Sequence, residues 1–316
     1  MAAGKKEQQR LIRHRAAGQK LVSQKLVGQK LIKSKIRLIA LDLDGTTLDR
    51  EGNLTRENRL ALEEAAGKGI YVVVASGRAL STLPKEVMEL ACVSYAITSN
   101  GAAICSMPDQ VLLRRYLIPG EAVDRVVALA DAYFAEYTGG QRLNYEVFVD
   151  GTAYAQADYV ADAMKFGGTE NEKKYVLESR RPVEDIHAFI RQHRRELDSM
   201  DLIIHDPEKK ELMWELLKQQ VPGIYITSSV PRLLEISGKE CGKWSGIRHL
   251  LEILGLSPEE VITFGDARND LDMIQGAGIG VAMSNAHPAL KENADYITDS
   301  NDESGVARAL RELGII

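Results

Sequence analysis

A short apolar run that ends in two carboxylates constrains this chain most. Residues 36–42 read Ile-Arg-Leu-Ile-Ala-Leu-Asp, and the run lacks helical periodicity, which is typical of a strand covered on both faces in a parallel sheet. Asp44 and Gly45 follow. Ligands of open α/β sheets bind beyond the carboxyl ends of the strands, so we expect chemistry at Asp42 and Asp44. Unpaired acids this close together are costly, and a hard cation is their natural partner.

The alternative for this stretch, taken alone, is an ordinary strand that ends in an Asp-Gly turn. A calcium loop of the EF-hand type is excluded, because its glycine stands at the sixth position, whereas Gly45 is the fourth residue counted from Asp42.

Length and composition indicate a globular protein of two domains. The chain has 316 residues, 45% of them hydrophobic and 27% charged. Its three cysteines are too few for a disulfide framework and favour a reducing, cytoplasmic location. We interpret these cysteines and the six histidines as structural or surface residues, since none has the spacing of a zinc site. No apolar run approaches the roughly 20 residues that cross a bilayer.

Residues 1–35 form a basic arm. They carry ten Lys or Arg and one acid, Glu7, so the arm has a net charge of 10 − 1 = +9 and the remainder −5 − 9 = −14. An acidic body argues against nucleic acid as the main substrate. A five-residue repeat within 19–33 advances about 140° per repeat on a helix, so its apolar pairs form no single face. We expect a disordered or partly helical arm, with loose binding to nucleic acid or an anionic membrane as the alternative.

Alternating strands and helices predict an α/β core with a parallel sheet. A strand over 70–75 precedes a predicted helix over 79–91 and a strand over 95–98, and the alternation returns at 243–254 (helix) and 261–264 (strand). The middle of the chain differs, because residues 146–149 and 152–155 predict a hairpin flanked by helices. The sequence therefore predicts a core over 36–118 and 238–316, interrupted by an α+β domain over 119–237.

Four groups lie at predicted strand ends or at a helix start: Asp42 with Asp44, Ser76, Lys243, and Asp266 with Asn269 and Asp270. Each has an ordinary alternative, such as a turn, a surface lysine or a helix cap, but their joint occurrence indicates a phosphate-and-magnesium site. Asp42 and Asp266 offer oxygen ligands, while Ser76 and Lys243 offer a hydroxyl and a positive charge to phosphoryl oxygens. A carboxylate can attack phosphorus, and Asp44 can transfer protons.

These residues resemble the four motifs of the haloacid dehalogenase-like (HAD) hydrolases. The matching segments are Asp42–Thr46, Ala75–Arg78, Lys243 and Gly265–Asp270, and the resemblance extends over 36–316. Ser99–Ala102 and Val281–Ala286 are similar to the Cof-type branch, whose α/β cap is inserted between the second and third motifs. The resemblance implies a Rossmann-like core with an inserted cap.

The resemblance also implies roles. Asp42 would be the nucleophile and Asp44 the general acid/base. The phosphate would be bound by Ser76, Gly77, Lys243 and Asn269, and Mg²⁺ by the Asp42 carboxylate, the Asp44 backbone carbonyl and Asp266, with Asp270 in support. Thr47 stands where the family has an apolar residue, and we expect an effect on packing rather than on chemistry. Lys239 is a second candidate for the lysine, but Lys243 opens the following helix, as the motif requires.

We therefore expect a cytoplasmic, Mg²⁺-dependent phosphatase that acts on a small phosphorylated metabolite. Sugar phosphates are the favoured class, with flavin mononucleotide and pyridoxal phosphate as alternatives. A phosphomutase or phosphotransferase using the same aspartyl-phosphate is the first alternative activity, and a non-catalytic regulator that binds phosphometabolites is the second.

Overall fold

The computed structural model describes residues 35–137 and 143–316. The predicted basic arm lies outside these residues except for Lys35. The chain divides into two compact units. The first contains the described residues up to Val73, Leu250–Asp266 and Asp270–Ile316, and the second contains Val74–His249 and Ala267–Asn269.

The strands of the described residues are short. In chain order they are β1 (Leu38–Leu41), β2 (Tyr71–Ala75), β3 (Val93–Thr98), β4 (Ala103–Ser106), β5 (Leu112–Arg115), β6 (Asn144–Val149), β7 (Thr152–Gln156), β8 (Arg180–Val183), β9 (Leu197–Ile203), β10 (Ile224–Thr227), β11 (Leu233–Gly238), β12 (Val261–Gly265), β13 (Ile279–Ala282) and β14 (Tyr296–Ile297).

The same residues also form α-helices, several of which alternate with the strands of the α/β sequence. They are α1 (Arg56–Gly67), α2 (Lys85–Met88), α3 (Gly120–Tyr137), α4 (Ala157–Ala161), α5 (Glu170–Ser179), α6 (Ile186–His193), α7 (Pro207–Gln220), α8 (Lys243–Leu254), α9 (Leu271–Gly276), α10 (Pro288–Asn293) and α11 (Gly305–Glu312).

A parallel arrangement of strands forms the sheet of the first unit. The strand order is β14-β13-β12-β1-β2, and β2 continues into the second unit with its last two residues. The strands β1, β12, β13 and β14 pair in parallel, with Leu41 opposite Phe264. All four residues of β1 are buried, as its unbroken apolar run predicts. The predicted parallel sheet is therefore confirmed.

A six-stranded sheet dominates the second unit. Its order is β10-β11-β9-β6-β7-β8, and its pairs are antiparallel except for β7 with β8. The predicted hairpin is present as β6 and β7. Its turn residues Asp150 and Gly151 have φ angles of 50° and 68°, which two-residue hairpin loops require. One face of the sheet packs on an apolar core that includes residues of α3, α6 and α7.

The predicted helix over 79–91 is wrong. The chain forms a 3₁₀ turn at Leu80–Thr82 and the short helix α2, and Leu83 between them is extended, with φ −64° and ψ 139°. Pro84 explains the break, because proline lacks an N–H group and disfavours helical backbone in the residue before it. The antiparallel strands β4 and β5 were absent from the prediction.

The predicted domain boundaries stay a prediction. Strands β6 to β11 lie between Asn144 and Gly238, close to the predicted insertion, but the second compact unit extends beyond it on both sides. Within the described residues, no helix combines the length and the apolar character that crossing a bilayer requires.

Asn58 of α1 supports the segment that follows β1. Its side chain is fully buried, its Nδ2 donates to the Thr47 carbonyl oxygen at 2.9 Å, and its Oδ1 accepts from the Ala307 amide at 3.0 Å. One side chain thus satisfies two buried backbone groups from distant parts of the first unit.

We predict that Asn58→Ala lowers the free energy of unfolding by about 2–4 kcal/mol, because two buried backbone groups lose their partners. Urea unfolding measures the change. Glu63→Ala on the exposed side of the same helix is the control, with an expected change below about 0.5 kcal/mol. A loss for Asn58→Ala no larger than for the control would contradict the assignment.

Candidate active site

Asp42 and Asp266 come directly after two neighbouring parallel strands. Asp42 follows β1 and its amide donates to the Phe264 carbonyl oxygen of β12 at 3.0 Å. Asp266 follows β12. Asp42, Asp266 and Asp270 each place a carboxylate oxygen within 4.8 Å of the others. The parallel register therefore brings together three of the four residues predicted to bind metal.

Hydrogen bonds fix the position of Asp266. Its Oδ1 accepts from Thr46 Oγ1 at 2.7 Å, its amide donates to Asp270 Oδ2 at 2.9 Å, and its carbonyl oxygen accepts from the His287 amide at 2.8 Å. Gly45, with φ +79°, packs directly against the Asp266 carboxylate. A Cβ atom at this position would lie 2.5 Å from Asp266 Oδ2. No larger residue fits at position 45 unless Asp266 moves.

The three carboxylates fit a hard cation such as Mg²⁺. Oxygen ligands of one Mg²⁺ ion lie about 3–4 Å apart, so small side-chain rotations would bring these oxygens to a common ion. Asp42 and Asp270 are buried, and buried carboxylates this close together repel each other unless a positive charge or a proton intervenes. The donor set, all oxygen, is the one that Mg²⁺ prefers.

Asp44 differs from these three acids. Its side chain is exposed and does not belong to the carboxylate group, which agrees with a role for its backbone carbonyl rather than its carboxylate at the metal. Thr47 does more than pack. Its hydroxyl donates to the Asp42 carbonyl oxygen at 2.5 Å, so it holds the backbone of the predicted nucleophile.

The predicted phosphate-binding residues lie in the second unit. Ser76 is 1% exposed, and its Oγ accepts from the Arg78 amide at 3.1 Å. Its carbonyl oxygen accepts from the Asn100 amide, and the Asn100 carbonyl oxygen accepts from the Gly242 amide at 2.8 Å. Asn100 thus brings the loop after β2 and the start of α8 together.

Lys243 is fully buried and begins α8, whereas Lys239 is exposed and precedes the helix. This placement supports Lys243 as the candidate. Asn269 is 3% exposed, and its Nδ2 donates to Asn100 Oδ1 at 3.0 Å. Its Oδ1 is buried without a hydrogen-bond partner among the described residues.

Two buried acids of the six-stranded sheet were missed by sequence reasoning. Burial raises the pKa of Asp201 well above its usual range, and the neighbouring Glu235 and Glu146 raise it further, against Arg180 and Arg232. Burial also raises the pKa of Glu235, although hydrogen bonds from Ser229 and Asn100 oppose the shift. The available signal was a single acid inside an otherwise apolar strand, as in Leu-Leu-Glu-Ile at 233–236.

Cys241 and Cys105 are poorly suited to nucleophilic chemistry. Burial raises the pKa of Cys241 to about 11 and also raises that of Cys105, so both thiols are protonated at neutral pH.

Comparison with known proteins decides the family. The pattern of the haloacid dehalogenase-like hydrolases matches residues 39–310. The chain belongs to this family. The predicted resemblance, including its phosphatase branch with an α/β cap, is confirmed.

Relatives and solved structures give the class of enzyme. The 5-amino-6-(5-phospho-D-ribitylamino)uracil phosphatase YcsE of Bacillus subtilis (strain 168) is 32% identical over 277 residues, which are 87% of this chain and 95% of that protein. The HAD phosphatase BT1666 of Bacteroides thetaiotaomicron has 25% identity and a TM-score of 0.72, covering 89% of this chain and 96% of its own. The HAD subclass IIB sugar phosphatase BT4131 has 25% identity and a TM-score of 0.70, covering 89% and 100%. The predicted class, a HAD-type phosphatase, is confirmed.

We predict that Asp266→Asn lowers the affinity for Mg²⁺ by at least about tenfold, because it removes one charged ligand from the group. Calorimetric titration of the protein with Mg²⁺ alone measures the change. Glu292→Gln, an exposed acid on α10, is the matched control and should bind Mg²⁺ as the wild type does. Unchanged affinity in Asp266→Asn would place the metal elsewhere.

The raised pKa of Asp201 predicts how stability depends on pH. Well below the ordinary pKa of 3.8, this group is protonated in both the folded and the unfolded chain. As the pH rises through its folded pKa, the unfolded chain releases the proton more readily, so wild-type stability falls. The charged groups around Asp201 are Glu146, Glu235, Arg180 and Arg232.

We predict that Asp201→Asn is more stable than the wild type and that its advantage grows between pH 5 and pH 8. The gain amounts to about 1.4 kcal/mol for each unit by which the folded pKa is raised within that window. Urea unfolding at the two pH values measures it. An advantage that shrinks towards pH 8 would show that Asp201 is stabilised as the anion.

Proposed function

We propose that this phosphatase hydrolyses a small phosphorylated metabolite, with sugar phosphates as the favoured class, through a covalent aspartyl-phosphate on Asp42. The convergence of the Asp42, Asp266 and Asp270 carboxylates after β1 and β12 carries the proposal. Such a group at strand ends is poorly suited to stability and well suited to phosphoryl transfer.

The reaction has two displacement steps. A carboxylate oxygen of Asp42 forms a bond to phosphorus while the bond from phosphorus to the leaving-group oxygen breaks, and Asp44 gives that oxygen a proton. Water then attacks phosphorus and gives a proton to Asp44, which releases inorganic phosphate and restores the Asp42 carboxylate. The exposure of Asp44 supports this role, since its carboxyl group can exchange protons with solvent.

The carboxylates of Asp42, Asp266 and Asp270, with the Asp44 backbone carbonyl, would hold Mg²⁺. A bound Mg²⁺ ion supplies positive charge that offsets the repulsion between the acids and the phosphate. For the phosphoryl oxygens we propose the Ser76 hydroxyl, the Gly77 backbone, the Lys243 ammonium and the Asn269 amide. The burial of Lys243 supports this assignment, because a buried ammonium favours an anionic partner.

Names of similar proteins narrow the substrate class. BT4131 is a sugar phosphatase and YcsE acts on a phosphate ester of a ribityl chain, which supports a sugar or sugar-alcohol phosphate here. Flavin mononucleotide and pyridoxal phosphate are the alternatives. The phosphatase relatives set aside the non-catalytic regulator. Transfer to a second hydroxyl, as in a phosphomutase, would give a phosphorylated product in place of inorganic phosphate. The cytoplasmic location stays a prediction.

We predict that the protein releases nitrophenol from p-nitrophenyl phosphate with Mg²⁺ present and that a chelator stops the reaction. Asp42→Asn should lower the rate by at least about 1000-fold, because the amide is not a nucleophile. Nitrophenol absorbance and inorganic phosphate are measured together, and Glu292→Gln serves as the matched control. Activity retained in Asp42→Asn would refute the nucleophile assignment.

A further inference from the structure

Three acids lie side by side across the six-stranded sheet. Glu235 of β11 is directly opposite Asp201 of β9, and Asp201 is directly opposite Glu146 of β6. Residues in such pairs project from the same face of a sheet, and two strand spacings give the set a span of about 10 Å. We name Glu146, Asp201 and Glu235 the acidic row. Each is at most 6% exposed.

The acidic row does not belong to the apolar core. The alternate residues of the same strands, such as Val147, Met200 and Leu234, form the core on the other face of the sheet. Burying a carboxylate costs free energy unless it is paired or hydrogen-bonded. Apolar packing therefore does not explain why these three acids are buried.

The two ends of the acidic row accept hydrogen bonds from other side chains, whereas Asp201 in the middle interacts with Arg180 and Arg232 through charge alone. Glu146 Oε2 accepts from Arg180 Nε at 2.8 Å, and Glu235 Oε1 accepts from Asn100 Nδ2 at 3.2 Å. The Asp201 carboxyl group, 4% exposed, has no hydrogen-bond partner among the residues that the structure describes. A buried polar group of this kind points to a missing ligand.

The acidic row adjoins the predicted phosphate-binding residues within the second unit. Glu235 Oε1 lies 3.1 Å from the position of a Cβ atom on Gly77. At the other end, the ring of Tyr175 lies 4.8 Å from the Arg180 guanidinium and 5.1 Å from that of Arg78, two residues after Ser76.

A second orphaned group belongs to the same network. Asn269, whose Oδ1 has no partner among the described residues, donates to Asn100, which in turn donates to Glu235. Asn269 and the acidic row are therefore joined through Asn100.

We propose that the acidic row binds hydroxyl groups of the substrate's leaving group, and that Asp201 selects polyhydroxylated phosphate esters. This inference rests on the proposed phosphatase function. A hydroxyl group donates and accepts, so it satisfies a carboxyl group whether or not that group is protonated, whereas an ammonium group only donates. A second phosphate on the leaving group would meet three acids and be disfavoured.

The test compares leaving groups with and without hydroxyls. We measure kcat/KM for ribitol 5-phosphate, glucose 6-phosphate, fructose 1,6-bisphosphate and p-nitrophenyl phosphate. Ribitol 5-phosphate tests acyclic polyols, and glucose 6-phosphate tests sugar rings. In Asp201→Leu, the ratio of kcat/KM for the preferred hydroxylated ester to that for p-nitrophenyl phosphate should fall by about tenfold or more, mainly through KM.

Two further variants separate binding from a structural role. Asp201→Asn keeps a donor and an acceptor and should restore most of the ratio, and Glu215→Gln, a half-exposed acid on α7, should leave the ratio unchanged. Glu235→Gln tests a second position of the acidic row and should also lower this ratio of kcat/KM values. It keeps the inference testable if Asp201→Leu does not fold. Free ribitol or glucose, whichever parent sugar matches the preferred ester, should inhibit the wild type competitively and Asp201→Leu much less.

The outcomes are distinct. A ratio unchanged in both Asp201→Leu and Glu235→Gln, or an equal loss with both kinds of substrate, overturns the inference and leaves the phosphatase intact. Preference for p-nitrophenyl phosphate or the bisphosphate over both monophosphates also overturns it. A wild type that releases no phosphate from any ester with Mg²⁺ overturns the proposed function as well.

Discussion

The parallel pairing of β1 with β12 is the constraint on which the chemistry of the first unit depends. Leu41 lies opposite Phe264, so Asp42 and Asp266 cannot separate unless the sheet itself breaks. Two like charges 4 Å apart repel each other by about 4 kcal/mol at an effective dielectric constant of 20. Hydrogen bonds from Thr46 and His287 hold Asp266 in place despite that repulsion. A sequence selected only for stability would not keep two acids this close together. Arrangements that lower stability in this way are expected at functional sites.

The six-stranded sheet of the second unit also places acids close together at a cost in stability. One of its faces builds an ordinary apolar core with three helices, while the other buries Glu146, Asp201 and Glu235. Arg180 and Asn100 donate hydrogen bonds to Glu146 and Glu235, while burial and these two acids together outweigh the charges of Arg180 and Arg232 at Asp201. Both units therefore place acids where folding alone disfavours them. In the first unit the arrangement suits a cation, and in the second it suits neutral hydroxyl groups.

Local patterns explain what the sequence could predict. The apolar runs at 36–42 and 261–264 mark buried strands, and the bounds predicted for α8, 243 to 254, agree with the structure. Segment 79–91 shows the limit of a prediction from apolar periodicity. The pattern predicted one continuous helix, but Pro84 breaks it. The pairing of Asn100 with Glu235 was beyond sequence reasoning altogether, because it joins residues 135 positions apart and depends on the register of β11. Acids at strand ends can thus be predicted from sequence motifs, whereas the neighbours of side chains on the face of the six-stranded sheet cannot.

Asn100 shows how backbone strain and site geometry are linked in the second unit. Its φ of 51° and ψ of 39° lie in the left-handed region, which costs a non-glycine residue about 1 kcal/mol or more. In that conformation its backbone bonds both Ser76 and Gly242, while its side chain accepts from Asn269 and donates to Glu235. A helical or extended backbone would turn these groups in other directions. The strain is therefore offset by the contacts that it permits, and a single residue sets the spacing between the predicted phosphate-binding groups and the acidic row.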